Sequence, residues 1–290
     1  MNETTTLTAP PGGTIETPSG KDASYENFPV GSWLLPRALR PHIAVFYRFA
    51  RAIDDIADNP DLSPNDKIRR LDGFAEAVTG RNRADPAFAT GHAMFESLTA
   101  TSVVPDHCLD LIHAFKQDAT KSRYNDWDDL IGYCILSAAP VGRYLLDLHG
   151  GSKDGYGPSD ALCIALQIIN HLQDCQDDYR KLDRVYLPQD WMAAAGARVE
   201  DLDGNRTEPP LRTVFDRCLD GVDELMIEAR RLPNGLSSRR LAMESAAIIC
   251  IADRLGGLLR RRDPLEKRVE LTKAQYLSCC VRGAASALLA

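Results

Sequence analysis

Between its prolines the chain repeats apolar residues at three- and four-residue spacings, the period of an amphipathic helix. Phe46, Phe49, Ile53 and Ile56 form one stripe, and Leu162, Ala165, Ile169 and Leu172 form another. Proline lacks the N–H that a helix interior needs, so it marks helix starts and stops. Pro41, Pro60, Pro64, Pro86, Pro105, Pro140, Pro158, Pro188, Pro233 and Pro264 fall at such places. Ser63-Pro64 and Pro158-Ser159-Asp160 read as helix starts. No run alternates apolar and polar residues as a half-buried strand would, and the Gly/Asp/Asn/Pro stretch 195–210 reads as a loop. The pattern predicts an all-α bundle of about eight to ten helices in one domain. That domain spans residues 25–290, and the Thr, Pro and Gly of residues 1–24 predict a disordered tail.

Charge and composition narrow the function. The 290 residues carry 34 Lys+Arg against 41 Asp+Glu, a net charge of −7. No basic excess is present to attract a nucleic-acid backbone, so nucleic acid is not an expected partner. The eight cysteines show no CxxC spacing and sit largely in apolar helical stretches, which reads as reduced core thiols. The N-terminus has neither the positive nor the apolar region of a signal peptide. The longest apolar run, Ala161 to Gln173, spans 13 residues and falls short of the roughly 20 that a membrane-crossing helix needs. A soluble cytoplasmic protein is expected, with any contact at the inner membrane face peripheral.

Two aspartate clusters interrupt the most apolar helices. In Asp54-Asp55-Ile56-Ala57-Asp58, Asp54 and Asp58 stand at i and i+4 and share a face. Asn170, Asp174 and Asp178 stand at i, i+4 and i+8, with Asp177 alongside. Each cluster alone reads as a solvated acidic helix end. Together they supply carboxylates and one amide with no His or Cys on the same face, the oxygen-only donor set that Mg2+ prefers. Carboxylates facing one another in a helical cavity repel unless divalent cations bridge them. Holding Mg2+ this way seats a diphosphate and assists its departure, with the metal as Lewis acid.

Arg51-Ala52-Ile53-Asp54-Asp55-Ile56-Ala57-Asp58, Tyr133-Cys134 and Gln167 to Asp178 resemble the squalene/phytoene synthase family. The resemblance runs from Glu26 to about Ala274, with the paired motifs in the family's order, 116 residues apart from Asp54 to Asn170. It implies an isoprenoid-synthase helical bundle with a central cavity, acting on prenyl diphosphates. Glu26-Asn27-Phe28-Pro29, Phe115-Lys116-Gln117-Asp118 with Arg123-Tyr124, Ser137 to Arg143 and Arg184-Val185-Tyr186-Leu187-Pro188 look like the hydroxysqualene synthase branch of bacterial hopanoid biosynthesis. Members of that branch remove diphosphate from presqualene diphosphate, let the cation rearrange and add water, without NADPH. The companion presqualene diphosphate synthase branch usually shows Arg where this chain has Gln173, and head-to-head condensing relatives often carry a His-Lys-Ser-Phe-like segment where it has Glu26 to Pro29.

Carried over by position, Asp54, Asp58, Asn170, Asp174 and Asp178 would hold Mg2+, with Asn170 also touching substrate. Arg51 would contact diphosphate oxygens, a role compatible with a helix ion pair to Asp54 or Asp55. Tyr133 matches a cavity tyrosine that steers diphosphate loss, and reads equally as core. Gln167 matches a cavity glutamine, against a buried amide. Arg123 and Arg184 would hold the leaving diphosphate, or be surface cations. Arg260-Arg261-Arg262 and Lys267-Arg268 read as a solvated face, with a closing diphosphate contact or anionic lipid as the other reading. Phe46, Phe49, Leu136, Ala138, Val141 and Ile169 are expected cavity walls.

The implied partners are presqualene diphosphate, a companion presqualene diphosphate synthase and a separate reductase. The chain itself has no strand-turn-helix GxGxxG for a nicotinamide. The rival readings are a presqualene diphosphate, squalene or phytoene synthase that condenses two prenyl diphosphates, and a silent family-like assembly factor. The complete acidic motifs argue against the second. A helical metal-dependent phosphohydrolase is a third, supported only by His171 and Asp174 at i and i+3.

Overall fold

The computed structural model describes residues 15–16 and 35–289, without the side chains of 284 and 286–289. Glu26-Asn27-Phe28-Pro29 and most of the expected tail lie outside the described residues. Ile15 is buried, and its carbonyl accepts a hydrogen bond from Arg70 Nη1 at 2.7 Å.

Twelve α-helices are described: α1 Arg40–Asp58, α2 Pro64–Val78, α3 Ala89–Thr101, α4 Asp106–Asp118, α5 Trp127–Ser137, α6 Ala139–Leu148, α7 Tyr156–Leu182, α8 Gln189–Ala195, α9 Pro209–Ala229, α10 Leu232–Gly235, α11 Arg239–Leu259 and α12 Lys273–Leu289. Ten of them run ten residues or longer. The expected eight to ten is exceeded by α8, with seven residues, and α10, with four, both too short to carry an apolar stripe. Short 3-10 turns cover Pro86–Phe88, Lys153–Gly155 and Val199–Asp203. The last of these, with the start of α9, structures part of the expected loop at 195–210.

Both sequence stripes face the core. Phe46, Phe49, Ile53 and Ile56 on α1 and Leu162, Ala165, Ile169 and Leu172 on α7 are at most 4% exposed. Each large apolar side chain buried in this way contributes roughly 1.5–3 kcal/mol. Ser63 caps α2, its Oγ accepting from Asp66 N at 3.2 Å, and Asp126 caps α5 through Asp129 N at 2.8 Å. Helix α7 begins at Tyr156, two residues before its expected start. Gly142 lets α6 lie against Ser159 and Cys163 of α7, and Gly283 lets α12 lie against the backbone of α11 at Ala246 and Ala247. A Cβ at either glycine would collide.

The structure adds two strands that the pattern does not show. β1 (Arg123–Tyr124) pairs in parallel with β2 (Val185–Pro188), Arg123 opposite Val185. All four β2 residues are buried, so no alternation betrays it. Asp183 ends α7 in the left-handed conformation, φ 51°, and the reversal carries Arg184 back into the protein. All eight cysteines are free; five are buried as core thiols, and Cys163, Cys250 and Cys280 are partly exposed. Among the described residues no helix is long and apolar enough to cross a membrane.

Candidate active site

Helices α1, α5, α6, α7 and α11 face a common cavity. Arg51 and Asp54 line it from α1, and Gln167 and Asn170 line it from α7, each pair one turn apart. Four of the ten candidate residues therefore line one cavity, whose lining is mainly apolar and also includes Ser137, Ser159, Glu244 and Ser245. Asp58 lies one turn past Asp54, and Asp174 and Asp178 lie one and two turns past Asn170, beyond the cavity lining. Of the expected walls, Phe46, Ala138 and Val141 line the cavity. Phe49, Leu136 and Ile169 do not, and Phe49 and Ile169 are fully buried in the core.

Arginines hold four of the motif carboxylates. Arg51 reaches forward along α1, with Nη1 2.7 Å from Asp54 Oδ2 and Nη2 2.8 Å from Asp55 Oδ1. This is the expected helix ion pair, and the same side chain borders the cavity. Asp58 Oδ1 receives Arg184 Nη1 at 2.6 Å. Arg184 is 6% exposed and is no surface cation. Its Nη2 donates to the Ala57 and Asp118 carbonyls at 3.1 and 3.4 Å, and its Nε lies 3.9 Å from Asp118 Oδ1. Asp174 is gripped through both oxygens by the Arg268 fork, with Nη2 to Oδ2 at 3.1 Å. Arg268, which reads from sequence as part of a solvated face, thus meets the second motif, while Arg260 stays outside on Asp220 and Asp223. Arg123 pairs with Asp183 and bonds the Ser122 and Asp183 carbonyls, away from the cavity.

Tyr133 does not line the cavity. Its hydroxyl donates to Asp118 Oδ2 at 2.8 Å within a buried group that includes Tyr124, Tyr186 and His171. His171 stacks on Tyr186 with ring centroids 3.6 Å apart. Burial pushes Asp118 up to about 7, against the pull of Arg184 and the Tyr133 hydrogen bond. Burial also raises the Tyr133 phenol well above its usual value, with the Asp118 charge adding to it. His171 is driven down to about 3 by burial, and by Arg184 after it. Burial opposes the charge on Arg184, yet Asp118, Tyr186 and Asp58 together hold it protonated beyond the ordinary range. Hydrogen bonding to Asp174 does the same for Arg268. Charged guanidinium groups therefore sit on both acidic motifs at any physiological pH.

Two residues escape the sequence argument. Asp118 closes α4 and ties Arg184 to Tyr133; its signal was the Phe115-Lys116-Gln117-Asp118 motif, read without a role for the carboxylate. Glu244 lines the cavity from α11, and its signal is a carboxylate set between Leu241 and Ile248 on one helix face.

The donor set fits a hard cation. Asp54, Asp58, Asn170, Asp174 and Asp178 present carboxylate and amide oxygens along one face of α1 and one of α7, and of the five Asp54 and Asn170 line the cavity. Among the described residues no three His, Cys, Asp or Glu side chains already converge as a metal cluster. The guanidinium groups that occupy the carboxylates match diphosphate oxygens equally well.

A model of the family described as squalene/phytoene synthase matches residues 21–275. A hydroxysqualene synthase of Rhodopseudomonas palustris is 43% identical over 263 residues, covering 89% of this chain and 88% of that protein. One from Zymomonas mobilis is 39% identical, covering 93% and 91%. A solved structure of a squalene synthase from Alicyclobacillus acidocaldarius superposes with a TM-score of 0.70 at 31% identity, over 80% of this chain and 87% of that one.

Proposed function

The chain belongs to the squalene/phytoene synthase family, and from that premise we propose that it is a hydroxysqualene synthase. Proteins of this family process prenyl diphosphates, generally with a divalent metal. The observation that carries the proposal is that Arg51, Asp54, Gln167 and Asn170 all line one mainly apolar cavity. A diphosphate head seats there and a C30 chain lies along Phe46, Ala138, Val141 and Ile248. Identities of 43% and 39% to two hydroxysqualene synthases support that branch over the condensing ones. Gln173 supports it too: it is buried and donates to the Val269 carbonyl, where a condensing relative would place an arginine.

Magnesium, when bound, supplies the positive charge that draws the diphosphate away from carbon. Asp54, Asp58, Asn170, Asp174 and Asp178 are the residues that would hold it. Arg51 and Arg268 pass from carboxylate to diphosphate oxygens as the substrate enters, so the head group is bound by charges already in place. Arg184 stays on Asp58 and fixes that carboxylate's direction, and Tyr133 acts through Asp118 on Arg184. Gln167 and Asn170 orient the head group through their amides. The apolar walls keep water from the cation until it has rearranged.

Presqualene diphosphate reaches the protein from a separate condensing enzyme, and a separate reductase consumes the alcohol. Substrate and product are both strongly apolar. Leu277 and Val281, exposed one turn apart on α12, support a peripheral contact with the membrane face.

The test is one incubation series with magnesium and no NADPH, read by mass spectrometry. Presqualene diphosphate is expected to give a C30 alcohol, and farnesyl diphosphate to remain unconsumed. Consumption of farnesyl diphosphate would move the protein to the condensing branch.

A further inference from the structure

Helix α1 ends in an electrostatically unfavourable way. Asp54, Asp55 and Asp58 fall in its last five residues, and its last turn holds no basic residue. The carbonyl end of a helix carries partial negative charge, so carboxylates there oppose the helix dipole. The compensating cations come from elsewhere in the chain, and two of them converge on one atom. Arg184 Nη2 donates to the Ala57 carbonyl at 3.1 Å, and Lys67 Nζ, from the start of α2, donates to the same oxygen at 2.7 Å. That oxygen belongs to the last turn, whose carbonyls have no partner within the helix. Arg184 alone would satisfy it, and Arg184 also has Asp58 at 2.6 Å. Lys67 is partly buried and, among the described residues, has no carboxylate within ion-pair distance. Burial and then the Arg184 charge push its ammonium below the ordinary lysine range, while Asp58 and Asp118 draw it back up. A second cation held against the repulsion of the first needs a reason beyond capping.

Resting on the reading that the first motif takes magnesium and diphosphate, we propose that Lys67 is a positioning residue of that motif. With Arg184 it clamps the Ala57 carbonyl, and its charge beside Asp58 weakens the motif's hold on magnesium and strengthens its hold on diphosphate. A divalent cation approaching Asp58 meets two positive side chains that a diphosphate would welcome. The empty motif is thereby kept from holding magnesium tightly on its own, and the diphosphate brings the negative charge that completes the site. Lys67 acts through Asp58 and the end of α1 and touches no reacting atom.

The experiment titrates wild type, Lys67→Gln and Lys67→Met by calorimetry in low-salt buffer, with magnesium alone and with inorganic diphosphate alone, and unfolds each in denaturant. Glutamine keeps a donor for the Ala57 carbonyl and removes the charge, whereas methionine removes both. Lys67→Gln is expected to bind magnesium about 3–10-fold more tightly and diphosphate about 3–10-fold more weakly than wild type. Lys67→Met should show the same opposed shifts with a lower unfolding midpoint. A lysine that only capped α1 would lower stability and weaken both ligands together. Affinities in Lys67→Gln that move in the same direction, or do not move, overturn the proposal. Lys67→Arg keeps the charge and should bind both ligands as wild type does; opposed shifts of the same size in it would overturn the proposal even if the neutral variants failed to fold. A wild type that binds neither ligand removes the magnesium and diphosphate reading, and Lys67 with it. Wild-type binding without the opposed shifts in the variants removes Lys67 alone.

Discussion

The two acidic motifs look alike along the chain and are built differently in space. Asp58, the last carboxylate of the first motif, is held by an arginine whose side chain is 7% exposed and which also faces the buried Asp118. Asp174, the middle member of the second, is held by Arg268 with side chains 33% and 35% exposed, from the segment between α11 and α12. One arginine is part of the core and the other can let go. A buried pair that loses one partner leaves an uncompensated charge in the interior, whereas an exposed pair exchanges partners at little cost. On the proposed reading Arg184 is therefore a fixed part of the first motif, whereas Arg268, like Arg51, can exchange a carboxylate for phosphate oxygens.

The largest effect should not distinguish the motifs at all. Asp54→Ala or Asp174→Ala is expected to lower turnover by on the order of 10³-fold or more while circular dichroism stays helical. Wild-type activity in either would remove that motif from the chemistry.

Replacing the arginines should separate the two regions. Arg184→Ala leaves Asp58 and Asp118 without their cation and is expected to destabilise the fold by about 3–5 kcal/mol in a denaturant titration. Arg268→Ala is expected to cost under about 1 kcal/mol and to reduce turnover by about 10–100-fold. Equal stability losses in the two variants would erase the distinction between a fixed and an exchangeable side.

A pH series sharpens the point within the buried group. Asp118, pushed up to about 7 from an unfolded value near ~3.9, binds its extra proton in the folded state. Its contribution is complete below about pH 4 and is lost as pH rises through about 7. His171, pushed down to about 3 from an unfolded value near ~6.5, is neutral when folded. Its contribution is complete above about pH 6.5 and is lost as pH falls towards about 3. The two slopes oppose each other where they overlap. Asp118→Asn is expected to lose stability on acidification more steeply than wild type, and His171→Phe less steeply. Parallel stability curves for all three proteins would contradict this balance.

The smallest effect is expected at the outer edge of the second motif. Asp177 and Lys181 pair at 2.9 Å with side chains 63% and 70% exposed. Lys181→Ala should change stability by no more than about 0.5 kcal/mol. A larger loss would mean that this end of α7 is more constrained than its exposure allows.

Much of this was legible in the sequence because it is periodic. The stripes of α1 and α7, the Ser63 cap, and the placement of Asp54 and Asn170 on cavity-facing sides all follow from a 3.6-residue repeat. Strand β2 was hidden because Val185 to Pro188 are buried on both faces and show no alternation. The pairing of Arg184 with Asp58 spans 126 residues and depends on the left-handed turn at Asp183, which local spacing does not encode. Tyr133 looked like a cavity residue, but α5 turns its hydroxyl onto Asp118. Arg268 reads from sequence as part of a solvated face, and only the fold brings it to Asp174.

The most direct test of the central claim is a single-turnover incubation of wild-type protein with presqualene diphosphate and magnesium in 18O-enriched water, without NADPH. The account predicts a C30 alcohol carrying the heavy oxygen from solvent, with one diphosphate released for each alcohol formed. Diphosphate release without a labelled C30 alcohol would contradict it.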